Sequence, residues 1–204
     1  MKALIVVDIQ NDFCPGGALA VEEGDQIIPA VNLLANAFDC VVYTQDWHPD
    51  EHFSFASNHD NKEAYQTINA EYGEQILWPD HCIQGSKGAE FHPELNTDHA
   101  DMIVRKGYRP NIDSYSAFFE NDHSTRTGLK GYLIDRNVDE LHICGLATDF
   151  CVKWSAIDAL KEGFKTHLII DAIKGIDLDN SVEQAMTEMN EAGIHFLRSD
   201  EIVQ

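Results

Sequence analysis

The chain has 204 residues, 44% of them hydrophobic, and its 35 acidic and 14 basic side chains give a formal net charge of −21. This length and apolar content predict one domain, residues 1–204, with a substantial core. The acidic excess disfavours binding to nucleic acid or to an anionic membrane surface. No stretch approaches the roughly 18 consecutive apolar residues that a membrane span requires.

Short β-branched runs alternate along the chain with stretches whose apolar residues recur at helical spacing. This alternation predicts a mainly parallel α/β sheet covered by helices on both faces. We predict strands at 3–7, 41–44, 102–105, 141–144, 166–170 and 194–197, and helices at 25–38, 148–162 and 180–191. Two long segments, 47–99 and 107–127, interrupt the pattern. Loops of this length in a compact domain are usually functional.

The cysteines indicate a reducing compartment. There are five, an odd number, and no CxxC or CxC pair occurs among Cys14, Cys40, Cys82, Cys144 and Cys151. A disulfide framework or a cysteine-rich zinc site is therefore disfavoured. The apolar run at the amino terminus is too short for a signal peptide and ends at Asp8. We expect the protein to be cytoplasmic.

Cys151 follows a predicted strand that stops at Gly145, and it falls in the first turn of the next predicted helix. Helix N-terminal N–H groups and the helix dipole favour a thiolate at such a position. Open α/β sheets also place their ligand crevice at the carboxyl ends of the strands. Cys151 is therefore a candidate nucleophile, and we expect it to have thiolate character.

Two charged residues end other predicted strands and could serve this thiol. Asp8 follows the first strand and could accept the thiol proton, then return it to a leaving amine. Lys106 follows the third strand, where an ammonium would favour the thiolate and hold Asp8. The simpler alternatives are a capping aspartate and a solvated lysine. Three strand ends converging on one edge favour the catalytic interpretation.

A metal site is predicted after the second strand. Asp46 and His48 stand two residues apart, so in extended chain their side chains point the same way, and His81 could supply a third ligand from the long loop. Two imidazoles and a carboxylate suit one divalent ion, Zn²⁺, Fe²⁺ or Mn²⁺. His52 is interpreted as a supporting or structural residue. The remaining histidines have no distinctive spacing and are interpreted as surface or internally satisfied residues: His59, His92, His99, His123, His142, His167 and His195.

Apolar side chains flank these positions and could bind a flat ligand. Phe13 follows Asp8 by five residues, and Leu19 lies in a glycine-rich turn. Trp78 precedes His81, and Tyr115 follows Lys106 by nine residues. Ordinary core packing is the alternative for each of them.

Together these stretches resemble the nicotinamidase/pyrazinamidase branch of the isochorismatase-like cysteine hydrolases. The matching segments occur in order along nearly the whole chain: residues 7–13, 44–49, 77–82, 106–107, 113–119 and 145–152. The resemblance implies a three-layer α/β/α fold with a Rossmann-like sheet. It also implies hydrolysis of nicotinamide to nicotinate and ammonia, a step of NAD salvage, with pyrazinamide as a further substrate.

The resemblance also implies roles for individual residues. Asp8, Lys106 and Cys151 correspond to the family's catalytic triad, and Asp46, His48 and His81 to its metal ligands. Phe13, Leu19, Trp78 and Tyr115 correspond to its ring-binding wall. The Leu146–Ala147 peptide is cis in the family, where the N–H groups of Ala147 and Cys151 form the oxyanion hole. Phe150 replaces a His or Arg of many relatives, and we expect it to point away from the chemistry.

Other functions stay open at this point. The same fold could hydrolyse a carbamoyl or ureido compound, although relatives that do so often lack the full metal set. An isochorismatase is disfavoured, because its chemistry does not need the cysteine. A non-hydrolytic metal-binding or redox module is the third alternative, and the absence of a resolving CxxC partner counts against a redox role. The metal's identity and a homo-oligomeric state are left undecided.

Overall fold

The computed structural model describes residues 1–203 and contains eight strands and four α-helices within that range. The strands are β1 (Lys2–Val7), β2 (Val41–Asp46), β3 (Thr67–Ala70), β4 (Gly73–Ile76), β5 (Met102–Lys106), β6 (Glu140–Leu146), β7 (Lys165–Lys174) and β8 (His195–Leu197). The α-helices are α1 (Ile28–Ala35), α2 (Leu129–Asp135), α3 (Lys153–Lys161) and α4 (Ser181–Glu191). No helix within residues 1–203 is long and apolar enough to cross a membrane.

Six strands form one sheet in the order β5-β2-β1-β6-β7-β8, and every neighbouring pair is parallel. The predicted α/β fold with a mainly parallel sheet is therefore confirmed, together with all six of its strands. The antiparallel hairpin β3–β4 was not predicted. Each of its strands has only four residues and lies within the long polar segment 47–99, so neither gives a strand signal that stands out in the sequence.

The sheet has a buried core on each face, which makes the fold three-layered. Alternate residues of β1 point to opposite faces, so Ile5 packs into one core and Leu4 into the other. The first core contains Leu129 of α2, Ala156 of α3 and Met189 of α4, whereas the second contains residues of α1. Burial on both faces explains why β1 is a continuous apolar run.

Two of the predicted helices begin differently from expectation. Residues Gly24–Ile27 form a 3₁₀ turn before α1, and Thr148–Val152 form a π-helical turn before α3. Cys151 therefore lies in a widened turn rather than in a regular first α-helical turn. Helix α2 was not predicted, because its seven residues are too few to show a clear period.

The parallel topology brings the proposed catalytic residues to one edge of the sheet, which we call the carboxyl edge. Asp8 follows β1 and Lys106 ends β5, while β6 leads into the turn that carries Cys151. Asp46 ends β2 directly opposite Lys106 in the strand register. Gly145 lies opposite Val7, and a Cβ there would come within 2.1 Å of the Val7 carbonyl oxygen. Glycine thus lets β6 approach β1 where both strands end.

Candidate active site

The centre of the carboxyl edge is the buried ammonium group of Lys106. Its Nζ lies 2.8 Å from Oδ2 of Asp8, 2.5 Å from Oδ1 of Asp46 and 3.4 Å from Sγ of Cys151. It also donates a hydrogen bond to the carbonyl oxygen of Ser114 at 3.0 Å. Burial alone would lower the pKa of Lys106, but the charges of Asp46 and Asp8 raise it well above its ordinary value. Lys106 therefore remains charged between two carboxylates.

Asp8 is fully buried and is held from two sides. Oδ1 accepts a hydrogen bond of 2.6 Å from Oγ1 of Thr44, while Oδ2 faces Lys106. Burial raises the pKa of Asp8 to about 6, although the Lys106 charge opposes the shift. A carboxylate with such a pKa is ionised at neutral pH and can still accept a proton readily.

The surroundings of Cys151 act against the expected thiolate character, which stays a prediction. Burial raises the pKa of the Cys151 thiol well above its ordinary value, and the nearby Lys106 only partly opposes this. The negative charges of Asp8 and Asp46 add to the rise. A neighbouring base that accepts the thiol proton would therefore favour the attacking thiolate.

The three predicted metal ligands converge beside this cluster. Oδ2 of Asp46 lies 3.6 Å from Nε2 of His48 and 3.9 Å from Nε2 of His81. The orientation of the His48 ring is fixed by a contact of 2.8 Å between its Nδ1 and the carbonyl oxygen of Gly107. Nδ1 of His81 is likewise 2.8 Å from the carbonyl oxygen of Pro79.

This donor set fits a divalent metal ion. A carbonyl partner at Nδ1 requires the Nδ1–H tautomer, which leaves the Nε2 lone pair of each imidazole free to face Asp46. One ligand atom from each of Asp46, His48 and His81 lies within 4.8 Å of the others. Gln10 fixes the backbone of Asp46 through two hydrogen bonds of 2.8 Å, one to its carbonyl oxygen and one from its N–H group.

His52 lies next to this group without facing Asp46. Its ring centroid is 4.2 Å from that of His48, but its Nδ1 contacts Oγ of Ser54 at 2.7 Å and its Nε2 lies 3.2 Å from the carbonyl oxygen of Ile112. Both ring nitrogens therefore have protein partners. This arrangement agrees with a supporting role for His52.

A narrow cavity of about 20 Å³ opens onto the thiol and the metal-ligand group. Its lining is mainly aromatic and aliphatic, which suits a small flat ligand. Ala147 lines the cavity, and the Leu146–Ala147 peptide is cis, as the resemblance implies. All four predicted wall residues line it together with Cys151: Phe13, Leu19, Trp78 and Tyr115.

Phe150 also lines this cavity, so the expectation that it points away from the chemistry is wrong. Its ring is nearly perpendicular to that of Trp78, with the two centroids 4.9 Å apart, and its centroid is 5.6 Å from that of Tyr115. Trp78 in turn donates a hydrogen bond of 3.1 Å from Nε1 to the Tyr115 hydroxyl. The widened turn before α3 brings residue 150, as well as residue 151, to the pocket.

Several residues of the site were missed in the sequence. Asp149 accepts hydrogen bonds from the N–H group of Ile176 at 3.0 Å and from Oγ of Ser181 at 2.5 Å, which places Ile176 against the cavity. Asp113 also lines the cavity and accepts a hydrogen bond of 2.8 Å from Nε2 of Gln75. Asp113 and Asp149 lie within the segments 113–119 and 145–152 that carry the family resemblance. No periodic signal in the sequence reveals their contacts with Gln75 and Ser181, which are 38 and 32 residues away.

Comparison with known proteins places the chain in a family. A family model described as the isochorismatase domain matches residues 2–201. The chain belongs to the isochorismatase family. This isochorismatase-family chain is 54% identical over 201 residues to the nicotinamidase of Acinetobacter baylyi, with 98% of this chain and 94% of the relative covered.

Two solved structures extend the comparison within the isochorismatase family. A nicotinamidase/pyrazinamidase from Acinetobacter baumanii is 56% identical, with a TM-score of 0.97 and coverage of 98% of this chain and 97% of that chain. A pyrazinamidase from Pyrococcus horikoshii, solved in complex with zinc, is 39% identical, with a TM-score of 0.79 and coverage of 97% and 98%.

Replacing Lys106 by methionine should strongly destabilise the fold. The substitution leaves the Asp8 and Asp46 carboxylates buried without their counter-ion, which costs about 3–5 kcal/mol for a buried pair. Urea unfolding measures the loss. Lys174→Met is the control, because the side chains of Lys174 and its partner Glu23 are 37% and 52% exposed, so its effect should stay within about 1 kcal/mol.

Adding Asp8→Asn to Lys106→Met should recover part of that stability, since one of the two unpaired charges is removed. Equal stability of the single and double variants would show that the two carboxylates do not share Lys106 as their counter-ion.

Gly107→Ala should disrupt the metal-ligand group. Gly107 has a φ of +64°, and a Cβ there would come within 2.4 Å of Cε1 and 2.6 Å of Nδ1 of the His48 ring. The displaced imidazole should lower zinc affinity at least about tenfold, as loss of a ligand's orienting contacts typically does. Gly163→Ala controls for backbone strain alone, because Gly163 also has a positive φ but nothing within 4 Å of a Cβ. Equal zinc affinity in both variants would contradict the prediction.

Proposed function

We propose that the chain hydrolyses nicotinamide to nicotinate and ammonia, a step of NAD salvage, through a thioester on Cys151. The observation that carries this proposal is the buried ammonium of Lys106 in contact with Asp8, Asp46 and the Cys151 thiol, beside an aromatic cavity that Cys151 lines. The nicotinamidase and pyrazinamidase names of the similar proteins support the same substrate class. Pyrazinamide, which has a similar ring and the same carboxamide, is proposed as a second substrate.

The proposed reaction begins with proton transfer. Asp8, ionised at neutral pH, takes the proton of the Cys151 thiol, and Lys106 stabilises the thiolate as it forms. The sulfur attacks the amide carbon, and the C=O oxygen becomes an oxyanion. The N–H groups of Ala147 and Cys151 would hold this oxyanion, an effect of about 3–4 kcal/mol per donor in comparable hydrolases.

The second half of the proposed reaction returns the proton. Protonated Asp8 gives its proton to the amide nitrogen, the C–N bond breaks, and ammonia leaves a thioester on Cys151. Asp8 is again a carboxylate and can accept a proton from a water that attacks the thioester carbon. Breaking the C–S bond releases nicotinate and restores the thiol, so the cycle consumes only amide and water.

The aromatic cavity and the metal-ligand group would orient the substrate ring. Trp78, Tyr115 and Phe150 offer their ring faces and edges, and Phe13 packs against His81 with ring centroids 5.5 Å apart. Asp46, His48 and His81 would hold one divalent metal ion, Zn²⁺, Fe²⁺ or Mn²⁺, which supplies a Lewis acid for a ring nitrogen when bound. Such positioning lowers the activation barrier, because the substrate loses its translational and rotational freedom on binding, before the chemical step.

We also infer a cytoplasmic location from the free cysteines, none of which forms a disulfide in the described residues. The partner we propose is the small-molecule substrate, and a homo-oligomer stays a prediction.

Ammonia release from nicotinamide tests the proposal directly. Cys151→Ala should abolish turnover but keep its zinc, because Cys151 is not among the proposed metal ligands. Cys40→Ala is the matched control, since Cys40 is also buried but lies in the core beside β2. Full activity of Cys151→Ala would end the proposal. Activity confined to a ureido or carbamoyl substrate would instead support the related small-amide hydrolase.

The pH dependence of kcat/KM tests the role of Asp8. A general base must be ionised, so kcat/KM should rise with pH through about 6, the raised pKa of Asp8, and should be lost below that value. A rise centred near 4, the range of an ordinary exposed aspartate, would contradict the assignment.

A further inference from the structure

A second cluster of metal-ligating side chains lies at the opposite end of the sheet. Glu140 is the first residue of β6, and His142 faces His167 of β7 in the strand register. His167 in turn lies opposite His195, the first residue of β8. Six residues of β6, roughly 20 Å at about 3.3 Å per residue, separate Glu140 from the carboxyl edge. None of these residues belongs to the proposed reaction.

The imidazoles of this cluster are buried with nitrogens that lack partners. His142 is 3% exposed and His167 is 7% exposed. Among residues 1–203, Nδ1 of His142 and Nδ1 of His167 have no hydrogen-bond partner, and Nε2 of His167 is near Glu140 without hydrogen-bond geometry. The sequence interpretation of these two histidines as surface or satisfied residues is therefore wrong. Buried polar atoms without partners require an explanation, and an unseen ligand is one of the few available.

The donor atoms are close to the spacing that a tetrahedral metal ion requires. Nε2 of His142 is 3.0 Å from Oε1 of Glu140, and Nε2 of His167 is 3.3 Å from the same oxygen. Metal–ligand bonds of about 2.0–2.2 Å place neighbouring tetrahedral ligands roughly 3.4 Å apart. One ligand atom from each of the three residues lies within 4.8 Å of the other two.

We propose that Glu140, His142 and His167 form a second binding site for a divalent transition metal of the Zn²⁺ type. His195 is exposed, and its ring centroid lies 5.6 Å from that of His167, so it is positioned to provide a fourth ligand. An ion held there would link β6, β7 and β8. Strand β8 is at the edge of this sheet and pairs with β7, so the link would stabilise that edge.

Two lysines share the Glu140 carboxylate and would compete with the metal. Nζ of Lys2 lies 3.2 Å from Oε1, and Nζ of Lys165 lies 3.2 Å from Oε2. Their side chains are 63% and 57% exposed, so both can turn into solvent at little cost. Lys2→Gln should therefore tighten metal binding at this site.

The test is the zinc content of the full-length protein after chelator treatment, zinc reloading and gel filtration. Wild-type protein should retain one more zinc per chain than the double variant His142→Gln/His167→Gln. The matched control is His99→Gln/His123→Gln, which removes two exposed histidines outside the cluster and should keep the wild-type value. The test compares the zinc content of two proteins that both keep the Asp46 site, so the result does not depend on the occupancy of that site. Equal zinc content in wild type and double variant overturns the proposal.

Cobalt spectroscopy keeps the proposal testable if the double variant does not fold. Wild-type protein titrated with Co²⁺ should develop the absorption bands of a tetrahedral site. Glu140→Gln should weaken these bands and raise the Kd for Co²⁺ at least about tenfold. Lys2→Gln should strengthen them. Identical titrations for wild type, Glu140→Gln and Lys2→Gln overturn the second site.

Discussion

The site depends on one buried ammonium group shared by two carboxylates and a thiol. Lys106 compensates the charge of Asp8 and Asp46 at the same time, and it lies within 3.4 Å of Cys151. Two unpaired carboxylates could not remain ionised at this depth, because burial strongly disfavours the charged form. The same contact therefore holds the base, orients a metal ligand and provides the positive charge that a forming thiolate needs. Loss of Lys106 would disturb all three functions together.

Parallel strand topology explains why residues so distant in sequence share this ammonium. Strands β5, β2, β1 and β6 are consecutive neighbours, so Lys106, Asp46, Asp8 and the turn after Leu146 meet at one edge. The sequence predicted this convergence, because a residue that follows an apolar run can be placed at a strand's end without knowledge of the tertiary contacts. It also predicted Asp46 and His48 as co-ligands from their spacing. The contact between Lys106 and Asp46 was not predictable, since it depends on which strands are neighbours.

The differences between the expected and the observed site have separate physical causes. An isolated helix terminus favours a thiolate, whereas burial of Cys151 raises the pKa of its thiol and so acts in the opposite direction. Phe150 was expected to point away from the chemistry, whereas it lies in the π-helical turn and lines the cavity. His142 and His167 have no distinctive spacing, because their proximity arises from the pairing of β6 with β7.

A titration of the Asp8 carboxyl group by ¹³C NMR tests the central claim most directly, with the Asp8 signal assigned by its loss in Asp8→Asn. The account predicts a pKa of about 6 in the intact protein, because burial raises it and Lys106 limits the rise. In a Lys106→Met protein that still folds, the pKa should move higher still. An Asp8 pKa in the ordinary range near 4, or one that does not respond to loss of the ammonium, would contradict the account.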